Sequence, residues 1–307
     1  MACFAAACGR GGFCLDSDLV DDETYTDDGS VGDGAGPRMS AGGARRDAAS
    51  GVARRASALL ESSLEAASLD SVDKVYDEFT ATMRHVVLFK LGPPRVPLQA
   101  FESVEQHMSD LECALGALPA SIVDGGGDQV VSHYSFGSDL QYQKHHTQFH
   151  FAIVADFQEQ SEYWAYRHHR AHQVFSTTML EPVVAARASL QFELLPRGAP
   201  IRVRRGMLRH VVLFQWVDDV AAAKLDSVRA GLSLLPEEIP QCVNYFYGGD
   251  LGLTKVHTDE DFDFAIIADF DNYKDYQIYA THPAHQEFTK RILRPLIKNR
   301  AAVQFLL

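Results

Sequence analysis

Histidine side chains are the first candidates for chemistry in this sequence. The chain has 13 histidines, and nine of them lie between residues 85 and 172. Imidazole exchanges protons near neutral pH and binds transition metals. However, no cysteine or carboxylate falls at metal-ligand spacing beside these histidines, and His145 and His146 occupy an expected loop. The sequence therefore predicts no metal site.

The five cysteines do not form a recognisable pattern either. They are Cys3, Cys8, Cys14, Cys113 and Cys242. Three of them crowd near the N-terminus, where spacings of five and six residues fit no common zinc motif. We expect incidental thiols and no disulfide framework.

Residues 1–80 form an acidic N-terminal segment. It contains 7 basic and 15 acidic residues and so carries most of the net charge of −13. Its first 51 residues are rich in Gly, Ala, Ser and Asp, which cannot bury enough apolar area to offset the entropy of ordering them. We predict a mostly disordered tail with one helix over 52–79, where apolar residues recur at partly helical spacing.

Charge and hydropathy argue against two classes of partner. A nucleic-acid surface needs a basic stripe with interleaved aromatic residues, whereas basic residues cluster only in a Pro/Gly-rich linker. These are Arg197, Arg202, Arg204 and Arg205. No stretch reaches the roughly 18–20 apolar residues of a membrane span, and the N-terminus lacks the pattern of a secretion signal. We therefore expect a cytoplasmic protein without a nucleic-acid or membrane partner.

An internal repeat organises the rest of the chain. The segment MRHVVLFKL at 83–91 returns as LRHVVLFQW at 208–216, and FHFAIVADF at 149–157 returns as FDFAIIADF at 262–270. A third pair, RASLQFEL and RAAVQFLL, ends each copy. Repeats of this length indicate duplicated domains. We divide the chain into a first repeat at 83–195, a linker at 196–206 and a second repeat at 207–307.

Each repeat reads as β-α-β-β-α-β. In the second repeat, the pattern predicts strands at 210–216, 243–247, 262–270 and 302–306. A helix follows the first strand and ends at Pro236, and a second helical region capped by Asp271 or Asn272 breaks near Pro283. This order is the ferredoxin-like split β-α-β unit, of class α+β. Its third strand is apolar on both faces, while its helices cover one face, so we expect the two repeats to pack sheet to sheet as an internal pseudo-dimer.

The repeats resemble the stress-response dimeric α+β-barrel (A/B barrel) family. Its members open with Arg or Lys, then His and an apolar strand, and they carry a His-Pro-Ala-His motif. The second repeat has Arg209, His210 and the complete motif at 282–285. The first repeat has Arg84 and His85 and the degraded form His-Arg-Ala-His at 169–172. The resemblance implies an association with stress responses and a dimeric barrel.

A more distant resemblance to olivetolic acid cyclase implies a specific chemistry. That enzyme closes a linear polyketide by intramolecular aldol condensation without a metal or organic cofactor. Carried over by position, its acid/base residues are His210, Tyr279 and His285 in the second repeat, and His85, Tyr166 and His172 in the first. Histidine can act as the base and tyrosine as the donor to a developing oxyanion. The same side chains can equally serve a structural role by hydrogen-bonding each other or the backbone.

Three functions therefore stay open at this point. The protein binds a small apolar ligand between sheet and helices, or it is a cofactor-independent cyclase or lyase, or it is a structural interaction module whose side chains fill that space. A cavity of about 300 Å³ or more would favour the first two. Of the two sites, we expect the second to be the chemically competent one, because Pro283 pre-organises a helix start where the first repeat has Arg170.

Overall fold

The computed structural model describes residues 74–76, 80–92, 104–123, 129–140, 149–194, 201–254 and 261–307. The predictions for residues 1–73, for His145 and His146, and for most of the 52–79 helix lie outside the described residues. Within that span, Lys74–Tyr76 form a short strand, β1, instead of the end of a helix. This segment is extended because it pairs in antiparallel orientation with Ile201–Val203 (β6) of the linker.

The first repeat has the predicted β-α-β-β-α-β order. Its elements are β2 (Met83–Leu91), α1 (Val104–Ser121), β3 (His133–Ser138), β4 (Phe151–Phe157), α2 (Gln160–His168), α3 (Arg170–Phe175) and β5 (Val184–Glu193). A π-helical turn at Ser176–Leu180 follows α3. The strands form an antiparallel sheet in the order β3-β4-β2-β5.

The second repeat repeats this arrangement. Its elements are β7 (Leu208–Trp216), α4 (Ala222–Glu238), β8 (Asn244–Gly249), β9 (Phe264–Phe270), α5 (Tyr273–Thr281), α6 (Pro283–Phe288) and β10 (Ile297–Leu306). A π-helical turn at Thr289–Leu293 and a 3₁₀ turn at Arg294–Leu296 precede β10. The sheet order is β8-β9-β7-β10, so the predicted fold class of two ferredoxin-like units is confirmed.

Several predicted boundaries differ from the structure. Helix α4 runs to Glu238, with Pro236 inside its last turn, because the amide of Ile239 still closes the helix on the Leu235 carbonyl. Strand β10 begins at Ile297, five residues earlier than predicted, where it pairs with Trp216. The predicted cap at Asn272 is present, and its side chain accepts a hydrogen bond from the Asp275 amide. Among the described helices, none is long and apolar enough to cross a membrane.

The two sheets pack face to face around a shared apolar core. Along β2, Val86 and Leu88 point into this core, whereas Val87 and Phe89 lie under the helices of their own repeat. Such alternation follows from the pleat of a strand. The shared core draws on both repeats, and its members from the second include Val211, Leu213, Phe246, Ile267, Val303 and Phe305.

Matching contacts close the two sheets into a barrel. The amide of Leu140 donates to the Gln304 carbonyl at 2.8 Å, and the amide of Leu251 donates to the Gln191 carbonyl at 2.7 Å. Each bond joins the end of one sheet's edge strand to the last strand of the other sheet. An aromatic ring also fits over a glycine at each join, in the pairs Phe305 with Gly137 and Phe192 with Gly248. These contacts are equivalent by the repeat and give the pair of sheets its pseudo-twofold symmetry.

The join at Gly137 yields a stability prediction. A Cβ added there would lie 2.7 Å from the Cβ of Phe305, so Gly137→Ala forces the two sheets apart locally. We expect it to lower the free energy of unfolding by about 1–3 kcal/mol, measured by urea denaturation. Gly116→Ala is the matched control, because its added Cβ meets only the Phe136 ring at 3.8 Å and it removes a helical glycine. That variant should be neutral or more stable by roughly 0.5–1 kcal/mol. Equal stability of both variants would contradict the packing described here.

Candidate functional site

The first-strand histidines face the helices of their own repeat. His85 lies on β2 and His210 on β7, and their exposed fractions are only 7% and 6%. The preceding arginines, Arg84 and Arg209, point to the opposite sheet because neighbouring side chains alternate along a strand. Each histidine is therefore fixed below the helical layer by the same register that buries the arginine.

A buried glutamine on the last strand contacts each histidine. Gln191 Nε2 lies 2.9 Å from His85 Nδ1, and Gln304 Nε2 lies 3.2 Å from His210 Nδ1. The strand register places each glutamine directly beside its histidine. With the amide nitrogen donating, Nδ1 accepts and the ring proton resides on Nε2. Sequence reasoning missed both glutamines, although the recurrence of Gln in the last segment of each repeat was a usable signal.

The predicted tyrosine and last histidine of each repeat are in contact. The ring centroids of Tyr166 and His172 are 4.5 Å apart, and those of Tyr279 and His285 are 4.2 Å apart. The helix breaks between the two residues of each pair, so both side chains turn toward the sheet.

A second tyrosine, one helical turn earlier, links this pair to the first-strand histidine. The ring of Tyr163 lies 5.2 Å from that of His85, and Tyr276 lies 5.2 Å from His210. Residues three apart on a helix share a face, which explains why both tyrosines of a repeat point the same way. Neither Tyr163 nor Tyr276 was among the predicted site residues.

The helix break is built in the same way in both repeats. His169 and His282 cap the following helix, and their Nδ1 atoms accept hydrogen bonds from the amides of Ala171 and Ala284 at 3.2 and 3.3 Å. The next position is Arg170 in one repeat and Pro283 in the other, yet both helices begin there. The capping histidine, rather than the proline, is the feature the two breaks share.

Burial keeps the site histidines neutral. It lowers the pKa of His85 to about 3, and the charges of His172 and Arg167 add to the effect. Burial likewise lowers the pKa of His172 and of His285 to about 4, and that of His210 well below its ordinary value. The pKa values of Tyr166 and Tyr279 are raised, again mainly by burial. At neutral pH the sites therefore hold uncharged imidazoles and protonated phenols.

A cavity of about 690 Å³ opens between sheet and helices in the first repeat. All three predicted residues of that repeat, His85, Tyr166 and His172, line it. Its apolar lining includes Val87, Phe89, Ile153, Phe175, Leu180 and Val184. The structure thus brings the first-repeat residues together around one space. The expectation that the second repeat is the competent one stays a prediction.

The second repeat contributes to this first-repeat cavity. Thr254 and Asp261 belong to its lining. The hydroxyl of Thr254 donates to Gln191 Oε1 at 3.1 Å, while the nitrogen of the same amide contacts His85. A chain of hydrogen bonds therefore runs from one repeat into the site of the other.

The described residues offer little for metal or thiol chemistry. No cluster of three or more His, Cys, Asp or Glu side chains suited to a metal occurs among them. Cys113 is exposed and Cys242 is buried, and neither forms a disulfide. Burial raises the pKa of the Cys242 thiol to about 12, which makes a reactive thiolate unfavourable.

Comparison with known proteins places the fold in a family. Residues 208–306 match the family described as the stress responsive A/B barrel domain. A dimeric ferredoxin-like protein of unknown function from Thermobifida fusca is 38% identical, over 34% of this chain and 92% of that chain, with a TM-score of 0.31. A dimeric protein of unknown function with a ferredoxin-like fold from Bacteroides fragilis is 30% identical, over 34% of this chain and 98% of that chain, with a TM-score of 0.28. Hydroxynitrile lyase from Passiflora edulis is 20% identical, over 34% of this chain and 94% of that chain, with a TM-score of 0.31.

A search of curated proteins finds no significant match. The family match coincides with the second repeat, whose opening Arg-His strand and His-Pro-Ala-His motif are complete. The Thermobifida protein is matched over nearly its whole length. The chain therefore belongs to the stress responsive A/B barrel domain family.

Proposed function

We propose that this protein binds a small apolar ligand in the cavity of its first repeat, between sheet and helices. The observation that carries the proposal is the cavity itself, about 690 Å³ and lined by apolar side chains together with converging polar and charged groups. That combination is typical of small-molecule sites. A purely structural module has no need for such a space, so the cavity favours a binder over that alternative. A cytoplasmic location and further oligomerisation stay predictions.

The state of the histidines favours binding over acid–base catalysis. A general base works best when its pKa is near the operating pH. The pKa values of His85 and His172 lie near 3 and 4, so both rings are unprotonated at pH 7 but only weakly basic. Neutral imidazoles and phenols can instead donate and accept hydrogen bonds that orient a bound ligand.

The binding site can be tested by filling the cavity. Val184 lines it and is only half-buried, so Val184→Trp should occupy the space without disrupting the core. We expect this variant to weaken binding of the neutral fluorescent probe N-phenyl-1-naphthylamine at least tenfold, on the order of 1.4 kcal/mol, in a fluorescence titration. The matched control is Ile297→Trp, the equivalent position of the second repeat, which should bind as the wild type does. Loss of binding in the control alone would move the site to the second repeat, where Pro283 led us to expect it.

A cofactor-independent cyclase or lyase is the second candidate, favoured by the close Tyr-His contact in both repeats. Such an enzyme would use His85, Tyr166 and His172, or His210, Tyr279 and His285. If His172 or His285 is its base, the acid limb of kcat/KM should lie near pH 4, since each has a pKa of about 4. An activity whose acid limb lies near pH 6.5 would exclude both histidines as the base.

Burial of neutral histidine also predicts acid sensitivity. The pKa of His85 is about 3 in the folded protein and about 6.5 in an unfolded chain, so unfolding takes up a proton as the pH falls below about 6.5. The contribution of neutral His85 to the free energy of unfolding is therefore fully present above that pH and is lost progressively toward pH 3. Between pH 7 and pH 5, His85 alone should account for a loss of about 2 kcal/mol.

Urea denaturation at the two pH values measures this loss. His85→Gln should reduce it by the stated amount, because glutamine does not titrate. His168→Gln removes an exposed histidine of the same repeat and should keep the wild-type loss. If His85→Gln also keeps the wild-type loss, His85 is not held neutral by burial.

A further inference from the structure

We propose that the ligand of the first-repeat cavity is an amphipathic organic anion. This inference rests on the proposed function, because it names the class of ligand for the same cavity. The acidic group of the ligand would lie against Arg167 and Arg187, which both line the cavity. Arg167 reaches it from α2 and Arg187 from β5, so the two cations approach from the helical layer and from the sheet.

The end of the cavity at His85 has a positive electrostatic environment. At neutral pH the charges that act on the His85 ring are those of Arg167 and Arg187. The same two arginines act on the hydroxyl of Tyr163, beside His85. Two carboxylates, Glu181 and Asp261, also line the cavity. The guanidinium groups of Arg167 and Arg187 therefore favour an anion at the His85 end of the cavity.

The second repeat shows which part of this environment is special to the first. Arg187 has an equivalent in Arg300, but the position of Arg167, directly after the site tyrosine, is Ala280 in the second repeat. The first-repeat site thus has one more arginine than its counterpart. Arginine presents several donors in a planar fork that suits carboxylate and other oxyanions.

The tyrosine next to His85 also differs between the repeats. In the second repeat, the Tyr276 hydroxyl accepts a hydrogen bond from Gln304 at 2.8 Å. In the first repeat, the buried Tyr163 hydroxyl makes no hydrogen bond of ordinary geometry to any described residue. Arg167 and Thr254 are nevertheless close enough to affect its pKa, and both line the cavity. The surroundings of this tyrosine thus differ between the two repeats, although Tyr163 itself does not line the cavity.

The apolar part of the lining favours an apolar body on the same ligand. Phe89, Phe175 and Leu180 also line the cavity. An inorganic anion would leave these side chains in contact with water, whereas an organic acid covers them. The cavity thus favours an apolar molecule with one acidic end.

Two probes with the same ring system separate the acidic group from the apolar body. N-phenyl-1-naphthylamine is neutral, and 8-anilinonaphthalene-1-sulfonate adds one sulfonate to it. We expect the full-length protein to bind the sulfonate probe at least fivefold more tightly at low salt, with the difference shrinking in 0.5 M NaCl. Arg167→Ala should weaken the sulfonate probe about fivefold and the neutral probe less than twofold, and Arg167→Lys should restore part of the loss.

The controls distinguish failure of this inference from failure of the proposed function. Arg170→Ala removes an exposed arginine that does not line the cavity and should change neither affinity. Val184→Trp should weaken the binding of both probes. If the neutral probe binds and is lost in Val184→Trp, but the sulfonate gives no advantage or Arg167→Ala has no effect, the anionic class is wrong and the cavity remains a binding site. If neither probe depends on Val184, the proposed function fails and this inference fails with it.

Discussion

Each four-stranded sheet of this protein is apolar on both faces, while the helices of its repeat cover only one, and the rest of the structure follows from that constraint. The central strands β4 and β9 are buried along their whole length. A sheet of this kind cannot face water, so the second face must be covered by another sheet. Because side chains alternate along a pleated strand, the same strand supplies one residue to the interface between the sheets and the next to the site. Once Arg84 faces the opposite sheet, His85 must face the helices, and a slip of one residue would exchange them.

Buried ion pairs make this interface specific as well as apolar. Arg84 binds Asp156 at 2.6 and 2.8 Å, and Arg209 binds Asp269 at 2.7 and 2.8 Å, with nearly fully buried side chains. Removing such charges from water is costly, and bidentate geometry offsets much of that cost. A single partner lost from either pair would leave an unpaired buried charge.

The two pairs meet different residues of the opposite sheet. Arg209 donates a further hydrogen bond to Ser135 at 2.8 Å. The equivalent of Ser135 is Phe246, and the guanidinium of Arg84 lies 4.1 Å over the centre of its ring. Arg84 Nη1 accordingly has no hydrogen-bond partner among the described residues. A cation-π contact has replaced a hydrogen bond, so the two sides of the interface are related in position but differ in chemistry.

The sequence predicted what depends on local pattern and repetition. The repeat, the element order and the cap at Asn272 are all present. The sequence could not predict contacts between residues that are far apart in the chain. Gln191 and Gln304 contact their histidines only because of the register between two strands. Each Arg-Asp pair likewise forms only when the two strands that carry it are paired. The volume of a cavity is also beyond linear pattern, because it reflects how many side chains from several elements fill one space.

Fusion of the two repeats in one chain explains how the sites can differ at all. In a symmetric homodimer, every substitution appears in both sites. Here Arg167 and Ala280 occupy equivalent positions, and Thr254 satisfies the Gln191 oxygen, whereas the Gln304 oxygen is buried without a partner among the described residues. One repeat can therefore keep the family motif in full while the other acquires its own polar groups. Because Thr254 belongs to the second repeat, the first-repeat site still depends on the pairing of the sheets. The interface that covers the apolar faces is thus also part of the site.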